Sequence, residues 1–258
     1  MGRNSIGETT TQPSTDTASL VDQYERDGYL ILDSVEVPAG TLDAIVEDLD
    51  GLYVTPAHTE DGVSYGVHRI RNAWKMSTNV KALALAPNVL SLLKDLYGRN
   101  PIGWQTLNFW KGTEQAPHSD ALHFNSMPPG FMCGVWVALE DINMDKGPVV
   151  YYAASHKLPE LTPQDIGLQA DFSEYKKYEA HIDELIKERG LEPGYATIPK
   201  GHALIWASNL LHGGSRRSDP TLTRHSQVTF YFFEGCRFWQ PMTSDGGQVS
   251  WLEFEPIA

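Results

Sequence analysis

From Ile102 onward the chain is written in short runs of β-branched and aromatic residues separated by Gly, Pro and Asn. Short strands at that spacing build a sandwich or jelly roll. Strands are expected at 102–111, 131–139, 148–153, 196–198, 203–207 and 224–234. The first hundred residues have another period. Leu20, Val21 and Tyr24 are spaced as in a helix that stops at Asp27-Gly28, and Tyr29-Leu30-Ile31-Leu32 then reads as a strand. Leu42, Ile45, Val46 and Leu49 mark an amphipathic helix, and another runs from Val80 to Tyr97, where Gly98 ends it. These helices are expected on the outside of a sheet. Residues 158–193 break the strand rhythm with Tyr175, Tyr178, Ile182, Leu185 and Ile186 at helical spacing, an insertion placed to serve as a lid over the barrel mouth. The expected class is mainly β (α+β): a double-stranded β-helix, the cupin-like jelly roll, with flanking N-terminal helices and a helical insertion.

With 258 residues, 41% of them hydrophobic, the chain can bury a sizeable core, and residues 18–258 read as a single domain. Residues 1–17, rich in Ser, Thr, Gly and Gln, read as a disordered tail without the apolar stretch of a signal peptide. A formal net charge of −13 argues against nucleic acid or an anionic membrane as partner, since both reward clustered Lys and Arg. Cys133 and Cys236 are too few for a disulfide scaffold, and no apolar run is long enough to span a bilayer. A cytoplasmic monomer or homodimer acting on a small molecule is the expectation.

A few polar residues interrupt the apolar strands. In an extended strand, side chains two apart share a face, so His118 and Asp120 of His118-Ser119-Asp120 can reach one ion. Alone, that pair is a weak signal and reads more readily as a surface histidine and an ordinary solvated aspartate. His212 follows the buried-strand pattern Ala203-Leu204-Ile205-Trp206 and precedes Gly213-Gly214, where backbone can approach a site closely. Arg224 opens a run in which Arg224, Ser226, Val228 and Phe230 share one face, and polar groups among apolar ones are costly unless they bind something. Two histidines and a carboxylate form the ligand set of non-haem Fe(II) oxygenases, and the Arg224 fork suits a distal carboxylate such as that of 2-oxoglutarate.

Further stretches join these. Asp27-Gly28-Tyr29-Leu30-Ile31-Leu32, then Trp136-Val137-Ala138-Leu139-Glu140-Asp141, Lys146-Gly147-Pro148 and Ser155-His156-Lys157 stand in order around the polar residues. Over residues 20–238 the chain resembles the phytanoyl-CoA dioxygenase family of Fe(II)/2-oxoglutarate oxygenases. The resemblance implies that His118, Asp120 and His212 bind Fe(II) and are the catalytic centre. It further implies that Arg224 anchors 2-oxoglutarate with help from Ser226, that Gln105 touches the cosubstrate, and that Arg71 or Arg69 lies beside it. With O2, such a site oxidises an unactivated C–H bond and releases succinate and CO2. His123, Asn125, Arg216 and Trp136 are the candidate substrate contacts. Because Asp120 occupies the carboxylate position, hydroxylation is favoured over halogenation. The sequence departs from the family pattern at Ala153-Ala154, where Pro-Gly is usual, and in the doubled glycine after His212. Two rivals stay open: a cupin-like metalloenzyme that does not use 2-oxoglutarate and has no need of Arg224, and a non-catalytic binding barrel.

Overall fold

Sequence periodicity and chain path can be compared in a computed structural model, which describes residues 15–245 and 247–258. Helix α1 (Thr15–Asp27) leads into β1 (Tyr29–Leu32), and α2 (Thr41–Leu49) precedes a meander of β2 (His58–Glu60), β3 (Val63–Tyr65) and β4 (Arg69–Arg71). After α3 (Thr78–Ala84) and α4 (Pro87–Tyr97) come β5 (Pro101–Phe109), β6 (Asn125–Met127), β7 (Met132–Ala138) and β8 (Val149–Tyr152). Helix α5 (Tyr175–Arg189) then leads to β9 (Pro193–Tyr195), β10 (Ala203–Ala207), β11 (His212–Gly214), β12 (Ser226–Phe233) and β13 (Arg237–Trp239). The main sheet runs β1-β10-β7-β12-β5-β4-β3-β2, a second runs β11-β8-β9, and β13 pairs with β6. Every pairing is antiparallel. This is the expected jelly roll.

The central strands of the main sheet are buried on both faces, so they read as continuous apolar runs while their side chains still alternate. Cys133, Val135 and Val137 of β7, with Ala203 and Ile205 of β10, pack toward the helices against Ile45, Val80, Val89 and Leu93. Met132, Trp136, Leu204, Trp206, Val228 and Phe230 face the barrel interior. Trp206 sits directly across from Gly134 in the β10–β7 register. A Cβ on Gly134 would lie 2.5 Å from the Trp206 ring, so the glycine is the space that the indole fills.

Several expectations shift. The helix read from Val80 to Tyr97 is two helices, because Pro87 has no N–H to donate and disfavours helical backbone at Ala86, so α3 ends and α4 begins there. Gly98 does end α4, in the left-handed region. The strand expected at 196–198 lies three residues earlier as β9, and the helical part of 158–193 is confined to α5 and short 3-10 turns. Residues 15–17 of the expected tail begin α1, and the rest of it lies outside the described residues. Ser119-Asp120 is not a continuing strand. His118 makes a single β-bridge, and Asp120–Leu122 is a 3-10 turn.

Replacing Gly134 with alanine forces the buried Trp206 out of its place, and overpacking of this kind costs about 1–3 kcal/mol. The G134A variant is expected to unfold at correspondingly lower denaturant. An unchanged midpoint would show that the indole has room to spare.

Candidate metal centre and anion pocket

The two histidines meet through the backbone. His118 N–H donates to the His212 carbonyl at 2.9 Å, and His212 N–H donates to that of His118 at 3.0 Å. The doubled glycine makes this approach possible. A Cβ on Gly213 would stand 2.6 Å from the Gln115 carbonyl, and one on Gly214 would stand 2.8 Å from Glu114 N. Upstream, the Ser155 hydroxyl accepts the Leu211 N–H at 2.8 Å, and Asn209 Nδ2 donates to the His156 carbonyl at 2.6 Å. His156 in turn packs on Gly28 (φ 76°) and reaches the Glu25 carbonyl at 3.1 Å. Tyr178 and Ile182 of α5 join Leu122 and Leu211 in one apolar cluster, so the insertion braces both ligand segments.

Ligand atoms of His118, Asp120 and His212 all lie within 4.8 Å of one another, and all three residues are buried. Asp120 Oδ1 is 3.7 Å from His118 Nε2, and its Oδ2 is 3.5 Å from His212 Nε2. Both Nδ1 atoms face carbonyls, His118 toward Ala116 at 3.0 Å and His212 toward Leu210 at 2.9 Å. A carbonyl only accepts, so both Nδ1 atoms carry the proton and both Nε2 lone pairs face Asp120. Burial above all, then the His212 imidazole, holds His118 down to about 3, a neutral ligand at physiological pH. Trp206 Nε1–H donates to Asp120 Oδ2 at 2.8 Å and fixes the carboxylate. A buried carboxylate with no Lys or Arg ion pair among the described residues, converging with two imidazole nitrogens, fits a divalent transition metal such as iron.

These three residues line a cavity of about 510 Å³ together with Arg224, Gln105, Trp136, Arg71, Arg69 and His123. Arg224 is 3% exposed and makes no ion pair among the described residues. Its Nη1 donates to the Gly147 carbonyl at 3.1 Å, its Nε has no partner, and the rings of Trp136 and Phe109 lie 5.6 and 5.7 Å away. Burial and the charge of Arg217 lower its pKa to about 10, which leaves it cationic at neutral pH. The Glu140 carboxylate acts on Arg224 only from beyond ion-pair distance, so the buried guanidinium can still take an anion, and the cavity provides room for one.

Other expected site residues fall in different places. Ser226 is fully buried with its Oγ 3.4 Å from the Arg224 carbonyl, against the Arg224 backbone and not in the cavity lining. Trp136 lies at the Arg224 end. Asn125 does not line the cavity, since its Nδ2 donates to Glu160 at 2.9 Å in a neighbouring recess. Arg216 is exposed and outside the lining. His123 is at the cavity wall because the strand ends at Asp120, and its Nε2 lies 3.2 Å from the Tyr175 hydroxyl. Sequence reasoning missed Gln115, whose Nε2 lies 3.3 Å from His118 Nε2, and missed Phe172 and Tyr175, which bring the insertion into the wall. The aromatics of the insertion were a usable signal, whereas nothing marked Gln115.

Jelly rolls with two histidines and one carboxylate at the centre form a class of non-haem iron enzymes. The chain belongs to the phytanoyl-CoA dioxygenase family, whose model matches residues 24–226. A relative from Danio rerio, phytanoyl-CoA dioxygenase domain-containing protein 1, is 26% identical over 241 residues, covering 90% of this chain and 77% of its own length. Among solved structures, the non-haem alpha-ketoglutarate-dependent epimerase SnoN of nogalamycin biosynthesis superposes with a TM-score of 0.69 at 18% identity, covering 94% of this chain and 98% of SnoN. EctD from S. alaskensis gives a TM-score of 0.64 at 18% identity, covering 93% of this chain and 86% of EctD. SnoN has been solved with Fe3+ and alpha-ketoglutarate, and EctD with 2-oxoglutarate and 5-hydroxyectoine. At such identities the likeness establishes the fold.

Trp206→Phe keeps an aromatic side chain and removes the donor to Asp120. Loss of a hydrogen bond that orients a metal ligand typically costs about 10–100-fold in affinity. Anaerobic Fe(II) titration by calorimetry is expected to show that loss in W206F, with secondary structure retained. Equal affinity in wild type and variant would mean that Asp120 is positioned without the indole.

Proposed function

We propose that the protein is an Fe(II)- and 2-oxoglutarate-dependent oxygenase that hydroxylates, or otherwise oxidises, an unactivated C–H bond of a small molecule, releasing succinate and CO2. One observation carries this reading: a buried, unpaired arginine shares a cavity with a convergent two-histidine, one-carboxylate cluster. A metalloenzyme of the same architecture that did without 2-oxoglutarate would leave Arg224 buried with no ion pair and only the more distant Glu140 to offset its charge.

When bound, iron, 2-oxoglutarate and O2 together supply the oxidising power. The residues do the rest. His118 and His212 offer Nε2 lone pairs, with Nδ1 protons tied to the backbone, and Asp120 is held by Trp206. Arg224 takes the distal carboxylate as a fork, with Trp136 and Phe109 over its guanidinium keeping water away. Gln105 and Arg71 border the same space, and Ser226 fixes the Arg224 backbone. The aromatic lining excludes water from the oxidising centre. Asp120 in the carboxylate position favours hydroxylation over halogenation. Two unpaired cysteines suit the cytoplasm, and no helix among the described residues is long and apolar enough to cross a membrane.

Anaerobic addition of Fe(II) and 2-oxoglutarate to the apoprotein tests the reading through the visible metal-to-ligand charge-transfer band. Hydrogen bonds to a charged group are worth about 1.5–3 kcal/mol. Arg224→Ala is therefore expected to raise the 2-oxoglutarate concentration needed for the band by at least about tenfold. Fe(II) binding without any band in wild type would point to an enzyme that does not use 2-oxoglutarate, and failure to bind metal would remove the site assignment altogether.

A further inference from the structure

The charges around the cavity do not balance. Its lining holds three arginines, Arg69, Arg71 and Arg224, and a single carboxylate, Asp120. None of the three arginines forms an ion pair among the described residues, in a chain that carries 33 acidic residues against 20 basic ones. On the reading proposed above, Fe(II), Asp120, the two carboxylates of 2-oxoglutarate and Arg224 together make a neutral set. The charges of Arg69 and Arg71 are then surplus.

Their placement is set by β4. Ile70 is fully buried in the core beneath the helices, so Arg69 and Arg71 both project from the opposite face of the strand, toward the cavity. Arg71 Nη2 donates to the Ser64 hydroxyl at 3.0 Å, whereas the Arg69 guanidinium donates no hydrogen bond among the described residues. Desolvation first, and then the like charge of Arg71, lower the pKa of Arg69, and the charge of an arriving anion offsets both. Beside it stand neutral hydrogen-bonding groups. Burial lowers the pKa of His123 and raises that of Tyr175 to about 12, and Phe172 stacks parallel to His123 at 6.0 Å. Another part of the lining is apolar, where Trp104 and Phe124 meet edge to face at 4.8 Å and Phe230 lies 6.0 Å from Phe124.

We propose that the prime substrate is a small amphiphilic organic acid and that Arg69 determines this specificity, gripping the substrate carboxylate with Arg71 beside it while the apolar body lies on Trp104, Phe124 and Phe230. An exposed guanidinium by itself is ordinary. Two adjacent ones turned into a metal cavity, without an acid within reach in so acidic a chain, form an anion receptor.

The test uses 4-phenylbutyrate and its neutral isostere 4-phenylbutyramide as probes, titrated anaerobically by calorimetry into full-length protein loaded with Fe(II) and 2-oxoglutarate. The carboxylate is expected to bind at least about tenfold more tightly than the amide, the size of effect a charge-assisted contact produces. In Arg69→Gln that preference is expected to vanish while the 2-oxoglutarate requirement of the charge-transfer band stays within about twofold of wild type, and Arg69→Lys is expected to retain part of it. Equal binding of the two probes, or no binding of either, overturns the proposal. So does an R69Q variant that loses 2-oxoglutarate instead of the probe. Failure of the oxygenase reading is seen separately, as the absence of the band in wild type before any probe is added.

Discussion

The site depends on a pair of backbone hydrogen bonds, His118 N–H to the His212 carbonyl and the reverse. Segments more than ninety positions apart in the chain are joined at this one antiparallel bridge, and without it the two imidazoles have no reason to converge. The bridge has two requirements. Gly213 and Gly214 must lack Cβ atoms so that residues 114–117 can lie against β11, and the chain must turn immediately after Ser119 so that Asp120 swings back toward both Nε2 atoms. The second requirement is met by the 3-10 turn, which places Asp120 under the Trp206 indole, and Trp206 reaches that position only because Gly134 leaves its space empty. Three glycines, one tryptophan and two peptide groups therefore set where a metal would sit.

Most of the architecture was legible from periodicity. β1 and β10 match their expected bounds, and the strands read at 131–139, 148–153 and 224–234 overrun β7, β8 and β12 by one or two residues at either end. The ligands were legible because a histidine or aspartate inside an apolar texture is conspicuous. Their geometry was not. The alternation rule places His118 and Asp120 on one strand face, and the observed convergence arises instead from a bridge residue followed by a helical turn. For the same reason His123, which a continuing strand would turn away from Asp120, comes to the cavity wall. Asn125 and Arg216 were chosen for nearness in sequence to the ligands, and a turn of a few residues sent one to Glu160 and the other to solvent. The polar meander of β2 and β3 carries too little apolar pattern to announce itself, although it supports the strand that bears Arg69 and Arg71.

The departures from the family pattern also acquire physical content. Ala154 adopts φ 61°, the left-handed conformation that glycine accepts without cost, and the chain keeps that turn because Ala154 N–H bonds the Asp27 carbonyl at 2.8 Å. That bond, with His156 packed on Gly28, ties the opening strand to the loop that supports Leu211. Motif fragments that look independent in the sequence are thus the two sides of a few contacts, and their common purpose is the position of His212.

Average charge was a poor guide to the pocket. A net charge of −13 describes the surface that a distant partner meets. A ligand inside a cavity of about 510 Å³ meets the lining, where cations outnumber carboxylates and one of them, Arg224, is removed from water. Field lines in such an enclosure are shaped by nearby groups, because low-dielectric walls screen them less than solvent screens the exterior. An acidic exterior around a cationic pocket also has a kinetic consequence: it slows the approach of an anion from afar and rewards it only at the mouth. Binding there gains from the local charge of Arg69 and Arg71, and discrimination between acids and neutral molecules is concentrated at the last step of entry.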